Sequence, residues 1–270
     1  MRRIWIVWCV ICCTMQVKAQ FTFGTTGLMN MPTADMQRDK TFMFGGAFLE
    51  KHATPTRWTY NTWDYYMDIT IFPWLEVSYI CTLHKAIPDD PAYGTGFWVP
   101  STYGKFVNQD RQFAARVRLW KEGWWQPWTP QIVIGGNDVI HNSWELGSKI
   151  KPTNQTSNGF YNRYYIAATK HFYFKEIGEL GAHVAWIYNI RKDYPFNGPA
   201  AGVNFQFELP DNGSLLRKAV NGLNLMAEYD NKSFNAGFSY GLWKDYINLM
   251  CEMNRCRYFS GGVQFKIHLK

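Results

Sequence analysis

The chain has 270 residues, of which 18% are aromatic and 18% charged, and a formal net charge of +7. That length suits one large domain or two small ones, and the charged fraction falls below the roughly 25% usual in soluble domains. Its basic residues are dispersed, with no Lys/Arg-rich run, which argues against a nucleic-acid surface.

Residues 1–19 read as a cleaved signal peptide. Arg2 and Arg3 form a basic start, "IWIVWCVICCTM" an apolar core, and "VKA" before Gln20 suits signal peptidase. The apolar run is too short for a membrane-spanning helix. Cys12 and Cys13 lack the small preceding residue that a lipid-attachment cysteine needs, so a plain cleaved signal is expected. Cleavage lowers the charge to +4 and leaves Cys81, Cys251 and Cys256, too few for a closed disulfide framework.

Residues 20–40 have neither helical nor strand periodicity, and Pro32 would cost any strand a ladder bond. They are expected to enter the barrel described below or to cover one of its mouths, as an N-terminal plug or periplasmic segment. Asn30, Pro32, Thr33 and Asp35 are the candidate plug residues, with Thr25 a further bonding group.

From Thr41 onward the pattern has period two. Twelve runs are expected as strands, near 41–49, 58–71, 75–84, 111–121, 131–140, 160–171, 180–190, 200–209, 223–230, 233–242, 246–254 and 258–269. Most have the 8–12 residues of a strand that crosses a bilayer at a tilt, longer than the ~5–6 common in globular sheets. The two longest links, 85–110 and 141–159, fall at odd positions, whereas 72–76 and 243–246 are tight and fall at even ones. Short turns on one side and long loops on the other mark outer-membrane barrels. The even link 210–222 departs from that rule, with Ser214 placed to cap a short helix ending near Gly222, and so do the odd links near 231 and 256, which are tight.

One face of these strands carries Phe, Leu, Val, Ile and Ala. The other carries Asp64, Asp68, Glu76, Arg116, Arg118, Arg163, Glu208, Glu228 and Glu252, the candidate lumen-lining residues. Alternation alone suits a soluble sandwich with an apolar core as well as a barrel with an apolar exterior. Strand length, loop asymmetry and aromatics near strand ends (Trp58, Tyr79, Trp120, Trp243, Tyr258) favour a transmembrane antiparallel all-β barrel of about 12 strands over residues 41–270.

Chemical motifs are weak. "GFSYG" at 237–241 matches G-x-S-x-G, but Ser239 sits inside an alternating strand rather than on the sharp strand-to-helix turn that chemistry needs. His183 projects to the same side, with nothing in the sequence linking the two. The six histidines are scattered, and Cys251 and Cys256 have no second pair to complete a zinc site. No cofactor is expected. Tyr93, Phe97, Trp98, Tyr103 and Trp144 in the long links suit either stacking on sugar rings or loop packing.

Four stretches resemble the YjbH-like family of outer-membrane proteins tied to exopolysaccharide production. They are "GLMNMPTADMQRDKTFMFGG", "RVRLWKEGWWQPWTPQIVIGGNDVI", "YIAATKHF" and "LMAEYDNKSFNAGFSYGL", and the similarity runs over about residues 24–265. The resemblance implies a barrel in the bacterial outer membrane, without catalytic residues, that serves export or surface organisation of an exopolysaccharide. Its implied partners are outer-membrane lipid, the exopolysaccharide and other secretion components, with no nucleic acid. The alternatives are a barrel enzyme acting on lipid or glycan, a general porin, and a soluble carbohydrate-binding sandwich.

Overall fold

The computed structural model describes residues 18–20, 22–54, 58–87, 99–143, 149–152, 159–191, 197–210, 214–243 and 245–269. Twelve antiparallel strands close into one barrel. They are β1 (Thr41–Leu49), β2 (Thr62–Phe72), β3 (Leu75–Lys85), β4 (Phe106–Trp120), β5 (Gln131–Asn137) and β6 (Arg163–Phe174), followed by β7 (Gly178–Tyr188), β8 (Gly198–Phe207), β9 (Leu223–Tyr229), β10 (Phe234–Leu242), β11 (Ile247–Asn254) and β12 (Tyr258–His268). Each strand pairs with its neighbour in the chain, and β12 closes on β1 with His268 opposite Thr41. Every one of the twelve expected runs holds a strand, and the fold is the barrel rather than the sandwich.

The barrel has two unlike ends. At the terminal end, where β1 begins and β12 finishes, most connections are tight. The exceptions are the link over 121–130 between β4 and β5 and the link between β8 and β9, which carries helix α1 (Leu215–Asn221), with Ser214 at its N-cap position and Gly222 closing it. At the loop end the link from β5 to β6 contains a small hairpin, Ile140–Ser143 against Lys149–Pro152. Residues 144–148 and 88–98, with Trp144, Tyr93, Phe97 and Trp98, lie outside the described residues, as does the predicted leader through residue 17. Lys18 and Ala19, counted in that leader, pair with Gly27 and Thr26.

Burial decides which face is which. On β7, Val184, Trp186 and Tyr188 are exposed while His183, Ala185 and Ile187 are buried. On β12, Phe259, Phe265 and Ile267 face outward and Ser260, Gln264 and Lys266 inward. Arg116, Arg163 and Lys266 are among the largest fully buried side chains. A soluble sandwich would hide its apolar face. This barrel shows that face to the outside and hides charge, the arrangement of a wall made for lipid.

Two expected interface aromatics sit elsewhere. Trp58 is buried, packed edge-on against His84, Phe160 and Tyr161 inside the loop end. Tyr79 is in mid-strand beside Phe113. The terminal rim instead carries exposed Phe72, Trp74, Trp120, Trp124, Trp125, Trp128 and Trp243. Among the described residues no helix is long and apolar enough to cross a membrane, which says nothing of strands.

A lipid-facing wall responds to charge according to depth. Val184→Arg, near the middle of β7, should cost about 2–4 kcal/mol of folding free energy in lipid vesicles, and Ile71→Arg, at the end of β2, about 0–1 kcal/mol. Urea titration of vesicle-refolded protein checks this, and equal tolerance at both positions would contradict a membrane-embedded wall.

Candidate functional site

The candidate site is the lumen, and its principal occupant is the irregular segment before β1. Every residue from Thr22 to Ala34 is buried. The segment leaves the terminal rim at Lys40, whose backbone bonds Thr70 of β2 and Leu269. It turns back at 28–31, where Leu28 N–H donates to Met31 C=O at 3.3 Å and Gly27 bridges Pro32. Pro32 thus stands in a hairpin-like hook rather than in a barrel strand.

Outside a ladder, the backbone of this hook needs other partners, since each unpaired buried amide or carbonyl is costly. The wall supplies them as side chains. Glu228 of β9 accepts from three successive amides, Met29 (3.0 Å), Asn30 (2.8 Å) and Met31 (3.2 Å). Glu76 of β3 accepts from Thr26 N–H at 2.6 Å. In the opposite sense, the Arg116 guanidinium donates to the carbonyls of Thr26, Thr33 and Asp35. Arg163 donates to Asn30 C=O at 2.6 Å and to Asn137, while its guanidinium lies over the Phe23 ring, 3.2 Å from the centroid. Gln131 donates to Ala34 C=O, and Thr169 accepts from Ala34 N–H.

Of the candidate plug residues, Asn30 is therefore tied by backbone to Glu228 and Arg163 and by side chain to Glu252 and Asn254. Thr33 and Asp35 are held by Arg116 through their carbonyls. The candidate lumen residues divide. Glu76, Arg116, Arg163, Glu228 and Glu252 touch the hook, directly or through Asn30. Asp64 instead accepts from Ala47 N–H at 3.0 Å, and Asp68 is buried on the same strand with neither carboxylate oxygen hydrogen-bonded. Arg118 and Glu208 do not line the deep lumen. Arg118 is half-buried toward the terminal end of β4, and Glu208 follows β8 at the rim, where it accepts from the Tyr173 hydroxyl at 2.7 Å.

Shape matters beside polarity. A Cβ at Gly202 would come 2.6 Å from Leu28 Cδ1 and 2.8 Å from Met31 Sδ, and one at Gly237 would come 2.6 Å from Met29 Sδ. These inward glycines make room for the hook. Leu28, Met29, Met31, Ala34 and Met36 pack there with wall residues such as Val133, Ile187 and Met226.

Sequence reasoning passed over a second anchor near the terminal end. Asp35 lies 3.4 Å from His171 Nε2 and 3.8 Å from His183 Nδ1. Glu122, in the Trp-rich turn between β4 and β5, reaches His171 Nδ1 at 2.6 Å and Lys170 at 2.7 Å. Burial opposes the charge of Glu122, but hydrogen bonds from His171 and Lys170 outweigh it and hold its carboxyl at a pKa of about 2. The inward parity of His171 and His183 was readable, but nothing in the sequence brought Glu122 to them. His183 bonds Thr169 and Asn204, so the ring nitrogens lead away from Ser239. Among the described residues no cluster of His, Cys, Asp or Glu is placed to hold a metal ion, and the three cysteines are unpaired.

Comparison with known proteins agrees with the sequence resemblance. The profile of the YjbH family, described as "Exopolysaccharide biosynthesis protein YbjH", matches residues 19–186. The "Uncharacterized lipoprotein YjbH" of Escherichia coli (strain K12) is 28% identical over 121 residues, 45% of this chain and 14% of that protein. The chain therefore matches only a small part of that relative's length. Among solved structures, the β-domain of the Bordetella autotransporter BrkA aligns at a TM-score of 0.32 with 10% identity, covering 85% of this chain and 99% of that one.

Two outcomes follow from the anchors. Arg116→Met should cost the seated hook on the order of 3–5 kcal/mol, because it strands three carbonyls and the Glu76 carboxylate, 4.0 Å from Arg116 Nε, in the interior. Hydrogen exchange should then show the hook amides losing roughly 10²-fold protection or more, while the barrel strands keep theirs. The second outcome concerns pH. The pKa of Glu122 is lowered by folding, so its stabilising contribution is present in full above its unfolded pKa of about 4.3 and is lost as pH falls toward 2. The stability difference between wild type and Glu122→Gln should accordingly shrink as pH falls from about 4.3 toward 2.

Proposed function

The chain belongs to the YjbH family of exopolysaccharide biosynthesis proteins, and from that premise we propose that it is an outer-membrane barrel serving the export or surface organisation of an exopolysaccharide. In this reading it catalyses no reaction, and the hook is a displaceable plug.

One observation carries the proposal. The lumen is polar and holds a segment attached by side-chain hydrogen bonds instead of by strand pairing. Larger barrels enclose channels or a plugged lumen, and a segment bonded through side chains leaves the wall ladder whole when it moves. The buried Arg116, Arg163, Glu228 and Glu252 would then face water and a passing polymer, where charges and hydroxyl-rich chains are both accommodated. The apolar wall and the rim of tryptophans support a membrane setting, and the long loops then face the cell exterior. A general porin would call for a lumen free of such a segment.

Deleting residues 22–39 should leave the barrel folded, as judged by heat-modifiable gel migration, and raise single-channel conductance in planar bilayers several-fold over wild type. Unchanged conductance from a folded deletion variant would remove the plug from this reading. In cells, Ser239→Ala should leave surface polymer at the wild-type level, whereas a serine nucleophile would lose its chemistry.

A further inference from the structure

The outer wall is not uniform along its circumference. Across β1–β4 the outward side chains stand in rows, because each strand is paired in register with the next. Met67, Tyr79 and Phe113 make one row, with the Tyr79 and Phe113 rings 5.3 Å apart. Phe42, Ile69 and Val77 make the next row toward the terminal end. Between the two rows lies an apolar trough, floored by the strands at Asp68, Ser78 and Ala114, whose own side chains are buried toward the lumen.

Two cations stand on the loop side of this trough. Arg111 shares the next outward row with Tyr65 and Cys81, is exposed, and donates to Gln109 Oε1 at 3.3 Å. Lys85 lies two outward positions further along β3, its ammonium 5.1 Å from the Phe106 ring centroid and 5.6 Å from that of Tyr60. Both are held by uncharged groups. The outward positions beside them, Trp63, Tyr65, Leu83 and Gln109, carry no carboxylate, and Asp64 and Asp110 of the same strands are buried on the lumen side. An outward cation is costly near the bilayer midplane and tolerated near its boundary, where a long side chain reaches the headgroups. The strip therefore offers apolar surface at membrane depth and positive charge at the loop-end boundary.

We propose that this strip binds a phosphorylated, multiply acylated glycolipid of the outer leaflet. One phosphate would sit on the Arg111 guanidinium and a second on the Lys85 ammonium, while an acyl chain lies in the trough. Cys81, opposite Arg111, lies about 13 Å from Lys85 along β3 at ~3.3 Å per residue. That spacing, with Lys85 turned over Phe106, suits two phosphates on one headgroup better than a single phosphodiester. The Gln109 amide beside them is placed for sugar hydroxyls. The inference rests on the reading in which the long loops face the cell exterior, and on neither the plug nor the polymer.

The test is native mass spectrometry of the purified full-length protein in detergent, titrated with purified lipid A, with cardiolipin and phosphatidylglycerol as comparisons. Lipid A should bind at least tenfold more tightly than either phospholipid. The double variant Lys85→Gln/Arg111→Gln should lose at least tenfold in affinity for lipid A, with heat-modifiable migration unchanged. Val77→Trp, which fills the trough from the outer face, should lose as much. Arg257→Gln, which removes a cation over the Tyr258 ring at the same end of the barrel, should bind as wild type. Comparable affinity for the three lipids, no loss in the double variant, or an equal loss in Arg257→Gln would each overturn the proposal. The orientation is read separately, by whole-cell labelling of exposed Cys256 in the turn between β11 and β12 with a membrane-impermeant maleimide. Labelled Cys256 with no preference for lipid A would discard the site alone. Unlabelled Cys256 with a preference for cardiolipin would discard the orientation as well.

Discussion

Glu228 accepts hydrogen bonds from three successive backbone amides of a segment that has no ladder of its own, and much of the lumen is arranged around that contact. A barrel whose outer surface is apolar has only its inner face left for polar residues, since alternate side chains point to opposite sides. Twelve strands enclose more space than side chains of that inner face fill, and charged groups sealed there without partners are costly. An irregular backbone, rich in both donors and acceptors, resolves the conflict. Carboxylates of Glu76 and Glu228 take its amides, and guanidinium groups of Arg116 and Arg163 take its carbonyls.

This complementarity also explains the look of the hook. A regular strand would turn its amides and carbonyls toward neighbouring strands. A helix would satisfy them internally and present nothing to the wall. Only extended and turning backbone, with Pro32 preventing strand growth and Gly27 leaving room for the Gln20 side chain, leaves its polar groups free to meet side chains. Irregular backbone at membrane depth is tolerated where protein or water surrounds it, and here protein does so on all sides from Thr22 to Ala34.

The strands were legible in the sequence because period two survives any tertiary context in which the two faces meet different media. The twelve runs, the inward parity of Glu76, Arg116, Arg163, Glu228 and Glu252, and the short helix before Gly222 could all be read directly. Contacts between distant segments were not. Glu122 sits in a turn full of tryptophan, and no periodicity says that it folds back onto His171. Trp58 resembles an interfacial anchor by type and position, yet the loop end draws it inward against Phe160 and Tyr161. Gly202 and Gly237 read as weak points in their strands until the methionines of the hook are seen beside them. Arg118 and Glu208 had the right parity but stand too near the terminal end to meet the hook.

A polar attachment has a consequence that an apolar one would lack. Removing an apolar plug from an apolar lumen would expose both surfaces to water, with the full hydrophobic penalty and nothing to offset it. Removing this hook returns Glu76, Arg116, Arg163 and Glu228 to water, which recovers the hydration they lost on burial. Paired charges in an interior stand close to balance between desolvation and mutual attraction. The net hold therefore comes largely from Leu28, Met29, Met31, Ala34 and Met36 against the wall, and methionine is the apolar side chain that most readily adapts to a changed surface. The hook is consequently held by its apolar contacts, while the polar bonds that position it are ones whose loss water can in good part replace.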